Sequence, residues 1–229
     1  ANDLGIDTIE TGATIALLME AGEAKFGDLS FMETALSDIR AGNDRGRLLA
    51  QGAARVGEYY NLDRIPVIKK QAISAYDPRV VEVTGISMML TAQGADHTAG
   101  NLFNYETKDK TTQELTEASM EVQALCGAAD SLGLCVFGRS VTNINQDLII
   151  DALNDALGTE LDTSFYMQLG QETLEMETAF NEAAGFAEGD DELPEFFYSE
   201  SLPPMNKLAR HHAAEVNQYR RDWLRTHSS

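Results

Sequence analysis

Few residues in this chain could carry chemistry. Its 229 residues include two cysteines, Cys126 and Cys135, and four histidines, of which only His97 lies outside the last twenty positions. A thiolate binds soft metals and iron–sulfur clusters, and an imidazole titrates near neutrality. Cys135 and His97 are therefore candidates for a metal ligand and a proton carrier. One short pattern occurs twice: Asn2-Asp3-Leu4-Gly5-Ile6-Asp7 and Asp130-Ser131-Leu132-Gly133-Leu134-Cys135 share the form polar-x-x-Gly-aliphatic-polar. The glycine permits a turn of positive φ, or close approach of the backbone to a flat ligand. A carboxylate three residues earlier can take two N–H donors from an aminopyrimidinone edge, as it does from a guanidinium. Asn2 offers a neutral amide in that place. Taken singly, either segment reads as an ordinary helix-terminal turn.

The elements that must position these residues are helical. Apolar residues recur at helical spacing over 8–24, 31–41, 46–60, 80–92, 111–129, 145–157, 163–184 and 207–226. The helix over 111–129 starts at a threonine-rich cap, and Gly158 and Gly185 stop the two helices that follow it. His97 falls in the break Gly94-Ala95-Asp96-His97-Thr98-Ala99-Gly100-Asn101, a turn between helices, where functional residues concentrate. Residues 61–78, with Pro66, Val67, Ile68 and Asp77-Pro78, read as a connector holding at most a short strand. Residues 186–206 read as an acidic, aromatic, proline-bearing loop. No sheet can be assembled, so the fold class is all-α. The domain boundary is placed in the connector, giving units over 1–68 and 69–229.

Composition narrows the partners. Lys+Arg is 17 and Asp+Glu is 37, a formal charge of −20, which repels nucleic acid and anionic lipid. No run approaches the ~18 apolar residues of a membrane span. Asp3 and Asp7 do not suit a secretory signal, and two cysteines do not make a disulfide scaffold, so a reducing, cytoplasmic setting is expected. The first residues read as the middle of a motif, which points to a fragment or a processed chain.

The paired turns resemble the D-x-x-G-L-D and D-x-x-G-L-C motifs of the tungsten-pterin aldehyde:ferredoxin oxidoreductases. The resemblance runs along the chain in order: Ala75-Tyr76-Asp77-Pro78-Arg79, Gly94-Ala95-Asp96-His97, Phe180-Asn181 with Gly185, and Asp191-Glu192-Leu193-Pro194 are all similar to segments of that family. It implies the C-terminal helical domains of an enzyme that oxidises a small aldehyde to a carboxylic acid. Tungsten (or molybdenum) held by two pterins would take the electrons, and a [4Fe-4S] cluster would pass them to ferredoxin. By position, the resemblance gives Asn2 and Asp7 to one pterin, Asp130 and Leu134 to the other, and Cys135 to the cluster. It makes His97 the acid/base or substrate-orienting group. Two departures stand out: Asn2 replaces the family's Asp, and Glu177-Thr178 stands where Glu-Arg is usual, so that an ion pair is lost.

The resemblance also implies parts lying outside this sequence: the domain that cradles the pterin phosphates, and the CxxCxxxC segment with the other three cluster ligands. A missing N-terminal domain or a complementary chain is therefore an expected partner, and a homo-oligomer stays open. Alone, the chain is expected to retain neither cofactor and to leave apolar residues such as Ile6, Ile9 and Leu134 in water. Two other readings remain: a related tungstoenzyme subunit, for example one reducing an aromatic acyl-CoA, and a non-catalytic helical interaction module. Cys126, Met88 and Met89 are expected in the core. His211 and His212 are adjacent, so they cannot share a helix face as a metal pair. Arg79 is left between a pterin phosphate and a buried ion pair, and the basic last helix is expected to dock on the acidic body.

Overall fold

A computed structural model describes residues 1–227. The chain opens on a 3-10 turn, Asn2–Leu4, followed by α1 (Thr8–Glu20), α2 (Leu29–Ala41), α3 (Asp44–Leu49) and α4 (Ala53–Tyr59). A two-residue antiparallel hairpin comes next, β1 (Val67–Ile68) and β2 (Gln71–Ala72), with Val67 opposite Ala72. The rest is helical: α5 (Glu82–Leu90), α6 (Thr112–Ser131), α7 (Arg139–Thr142), α8 (Gln146–Leu157), α9 (Ser164–Ala183), α10 (Phe196–Ser199) and α11 (Ala213–His227). The all-α reading holds, and the hairpin is the short strand expected in the connector. Among the described residues no helix is long and apolar enough to cross a membrane.

The largest core is built around α5, whose nine residues are all buried. A helix buried on every side lies in the centre of a bundle, and its polar Glu82, Thr84 and Ser87 are paired there. Met88, Met89 and Ile86 pack there with Leu115 and Met120 of α6, Phe197 of α10, and Val216 and Trp223 of α11. Helices α6 and α9 meet backbone to backbone. A Cβ at Gly170 would lie 1.9 Å from the Ala124 carbonyl oxygen, so only glycine allows that crossing. Behind this contact, Ala128, Ala129, Ile150 and Tyr166 form a smaller core under α8. In the first helices, Ile15, Leu18, Ala35, Leu49 and Val56 form another. The hairpin touches two of these groups: Val67 and Ala72 pack with Leu17 and Ala53, whereas Ile68 joins the α5 core.

Two helices differ from the periodicity. The expected helix over 46–60 is broken into α3 and α4 at Gly52, where φ is +87°. The α4 amide of Ala53 donates to Glu10 Oε1 of α1, and Ala72 N donates to Glu10 Oε2 at 2.8 Å. A side chain at Gly52 would meet that carboxylate at 2.6 Å. One carboxylate thus ties three elements together and decides where α4 starts. The last helix begins at Ala213 rather than at 207, because residues 207–212 are held by tertiary contacts. Leu202 and Lys207 form a bridge, Ala209 N bonds Phe197 O, and Arg210 forms an ion pair with the buried Glu82 at 2.9 Å.

Candidate functional site

The two repeated segments fold alike. In the first, Gly5 N donates to Asn2 O at 3.1 Å, and Ile6 N donates to Ala1 O at 3.4 Å. In the second, Gly133 N donates to Asp130 O at 3.0 Å, and Leu134 N donates to Ala129 O at 2.8 Å. The glycines have φ of +65° and +70°, values that disfavour any other residue. The closing residues are both extended: Asp7 at φ −64°, ψ 138° and Cys135 at φ −78°, ψ 130°. The second turn is the Schellman ending of the long helix α6, the first the ending of a single 3-10 turn. Six residues of similar pattern thus give one backbone shape twice, with polar side chains at matching places.

Their surroundings differ. Asp7 is exposed and caps α1, accepting from Glu10 N at 2.7 Å through Oδ1. Cys135 starts the next 3-10 turn without any side-chain cap bond, so its exposed thiol is free. Leu134 is half-buried at the edge of the α8 core, not open to water as expected, and Ile6 is half-buried too. Ile9 is exposed, at 38%. Much more apolar surface lies just beyond Cys135, where Phe137 is 93% and Ile144 80% exposed. The crevices beside the two turns share no lining residue. One, of about 230 Å³, runs along Gly5, Asp7 and Thr14; the other, of about 470 Å³, lies against Asp130.

The Asp130 cavity gathers groups that are far apart in sequence. Asp96, Cys126 and Glu177 line it, with Thr91, Thr98 and Gln123. Asp96 is buried and accepts from Thr98 N at 2.8 Å and from Ala99 N at 3.2 Å, which fixes the turn. Burial raises the Asp130 pKa above the ordinary carboxylate value, and the Asp96 carboxylate adds to the rise. Glu177 is raised by burial and by Asp130. Burial also pushes the Cys126 thiol up, with Arg139 opposing. Burial, and then a neighbouring carboxylate, thus make Asp130 and Glu177 harder to ionise. Glu177 therefore belongs to the wall of this cavity, a role that the sequence did not reveal. Its spacing along α9 carries no sign of a partner some fifty residues earlier on α6.

His97 follows Asp96 and is half-buried. Its ring stacks on Tyr76, with centroids 5.2 Å apart and planes 29° apart. The Tyr76–Arg79 segment and the Gly94–His97 turn, read separately in the sequence, therefore meet here. Arg79 is a structural residue: it forms an ion pair with Asp77 at 2.6 Å, donates to Glu200 O at 2.7 Å and lies over the Phe197 ring. The two adjacent histidines, expected on the last helix, precede α11 and diverge. His211 is buried beside Thr112, while His212 stacks on Tyr198. Among the described residues no group of three His, Cys, Asp or Glu is placed to hold a metal ion.

With that geometry in place, the comparisons with known proteins are specific. Residues 1–226 match the family described as aldehyde ferredoxin oxidoreductase, domains 2 and 3. A tungsten-containing aldehyde ferredoxin oxidoreductase of Pyrococcus horikoshii is 28% identical over 89% of this chain and 37% of its own length. Proteins of the same name from Pyrococcus furiosus and Thermococcus kodakarensis are each 28% identical over 88% of this chain and 37% of theirs. The chain thus spans little more than a third of these curated relatives. It belongs to the aldehyde ferredoxin oxidoreductase family and corresponds to its second and third domains.

Proposed function

We propose that this chain forms one wall of a tungsten bis-pterin site in an oxidoreductase that converts a small aldehyde to its carboxylic acid, with ferredoxin as electron acceptor. The observation that carries the reading is the pair of congruent glycine turns, which present polar side chains at matching positions. Asn2 and Asp7 would meet one pterin, Asp130 and Leu134 the other. The residues fit that role in kind. Asp7 keeps Oδ2 free of any cap bond, and Asp130 lines an open cavity. The exposed, uncapped thiol of Cys135 suits one ligand of a [4Fe-4S] cluster, and a single thiol requires that the remaining ligands come from elsewhere in the intact protein. Residues 1–68 would be the remainder of the middle helical domain and 69–229 the C-terminal one.

A bound metal centre would supply the two-electron chemistry RCHO + H2O → RCOOH + 2 H+ + 2 e−, and Cys135 would help hold a cluster able to take up those electrons. The protein's own contribution is to move protons and hold groups in place. His97 would accept a proton released near the aldehyde carbon, and the stack on Tyr76 fixes its ring. Asp96 holds the turn that carries His97. The test is Cys135→Ser in the intact protein. Iron content should fall and ferredoxin-linked turnover should be lost, while far-ultraviolet circular dichroism stays unchanged. A variant with full iron content and normal turnover would overturn the assignment.

A further inference from the structure

Past Cys135 the chain turns one apolar side chain after another to solvent. Phe137 is 93% exposed, Val141 62%, Ile144 80% and Leu148 68%. Phe137 and Ile144 are the two most exposed large apolar residues among those described. Single exposed apolar residues are ordinary, but four within twelve positions of one segment mark a surface that is covered by another. The segment already has its own core contacts. Leu134, Ile149 and Leu153 pack with the buried Ile150. Leu148 stands away from that side of α8, and the exposed Asp151 and Asp155, one and two turns further on, share its face.

Two observations say what covers this surface. The first is charge. Arg139 is the only Lys or Arg between Lys110 and Lys207, so the edge of the apolar stretch is anionic. Interfaces have an apolar centre and a polar rim, and opposite charges meet across that rim. The covering surface is therefore apolar in the middle and basic at its margin. The second is Cys135, whose exposed thiol is free. A [4Fe-4S] cluster takes four thiolates, so the other three lie on a segment that closes on this one. Phe137 follows two residues later, and a segment that reaches the cluster reaches the apolar stretch as well. This chain matches 37% of the length of the Pyrococcus horikoshii relative, so intact proteins of the family carry polypeptide able to supply it.

We propose that residues 137–148 are the docking face for the segment of the intact protein that carries the other cluster cysteines. Apolar side chains of that segment lie over Phe137, Val141 and Ile144, and its Lys or Arg residues stand opposite Asp151 and Asp155. The proposal rests on the reading of Cys135 as a cluster ligand and adds that a packed interface holds the ligands together. Retention of the cluster then depends on apolar contacts that touch no iron atom.

The test uses the intact protein with ferredoxin present. The photo-crosslinking variant Ile144→benzoylphenylalanine should join, on irradiation, to the peptide that bears the cluster cysteines, as mass spectrometry of a digest would show. An adduct on ferredoxin, an adduct on a second copy of the protein, or no adduct would each overturn the proposal. Ile144→Asp with Leu148→Asp should lower iron content while far-ultraviolet circular dichroism stays unchanged, and full iron content would count against docking here. Hydroxyl-radical footprinting of the unaltered protein decides even if a variant fails to fold. Phe137 should be labelled as slowly as Phe197, which is 5% exposed, and fast labelling would refute the docking. Cys135→Ser separates the two readings. If it lowers iron while the Ile144 adduct maps elsewhere, the docking proposal alone fails. If it leaves iron intact, the cluster reading fails and the docking proposal falls with it.

Discussion

Acid should weaken this fold through one histidine. His211 is 4% exposed, its Nδ1 lies 3.1 Å from Thr112 Oγ1, and its Nε2 is buried without a partner. Burial is the main reason that its pKa falls from 6.5 to about 4. Arg210 and His212 also disfavour the imidazolium, while Glu82 and Glu215 favour it. The unfolded chain takes up this proton as the pH drops through 6.5, whereas the folded chain resists until about 4. Stability is thus full above 6.5 and falls progressively between 6.5 and 4. A difference of about 2.5 units at 1.36 kcal/mol each gives a loss of about 3 kcal/mol, a large share of a typical domain's stability. The assay is urea denaturation from pH 7.5 to 4, comparing the chain with His211→Gln. The variant should be less stable at pH 7.5, having lost packing, yet its stability should decline less steeply. Carboxylates with lowered pKa values, such as Asp38 and Glu114, add acid sensitivity, but they are common to both proteins and cancel in the difference. Parallel pH profiles would refute the reasoning, as would an NMR titration placing His211 near 6.5.

Three further outcomes are expected. His97→Ala in the intact protein should lower kcat by about 10²- to 10⁴-fold with iron content unchanged, as pH-resolved turnover kinetics would show. Gly170→Ala should cost at least about 3 kcal/mol or prevent folding, since its methyl group would lie 1.9 Å from Ala124 O; urea denaturation measures it. The isolated chain should hold no stoichiometric tungsten or iron, oxidise no aldehyde and self-associate. It exposes Phe137, Val141, Ile144, Leu148 and Phe180, where several hundred Å² of apolar surface represents on the order of 10 kcal/mol. Elemental analysis and sedimentation would check this, and a compact monomer with a metal centre would contradict it.

What could be read in the sequence was whatever repeats locally. Helix α9 ends where Gly185 stands in the left-handed region, and α8 where Gly158 does, because a C-terminal glycine is a local signal. The twin turns were legible for the same reason. Contacts that decide structure from a distance left no such trace. The break before α4 depends on Glu10, more than forty residues earlier. The late start of α11 depends on Glu82, Phe197 and Leu202. The approach of Asp130 and Glu177 follows from the crossing of α6 and α9 at Gly170, and Asp96 joins them from the turn after α5. Of the apolar residues expected in water, Ile9 is exposed, but Leu134 tucks under α8, and the larger exposure lies at Phe137 and Ile144 beyond it.

The congruence of the turns sharpens what their differences mean. A shared backbone shape puts Asn2 in the place of Asp130 and Asp7 in the place of Cys135. Asn2 is neutral at any pH, so its grip on a ligand edge does not titrate. Asp130 titrates, and burial with the neighbouring Asp96 raises its pKa. Glu177 feels Asp130 in turn, so protonation of one eases ionisation of the other. At the closing position the contrast is one of use. Asp7 commits one oxygen to the α1 cap, which makes it a fixed acceptor, while Cys135 commits nothing and leaves a thiol for a soft metal. A single turn geometry thus serves one half that pairs a neutral amide with a capping carboxylate and another that pairs a carboxylate with a thiol. Proton and electron traffic would then concentrate at the second turn, on the side of the molecule where Asp96 leads into His97.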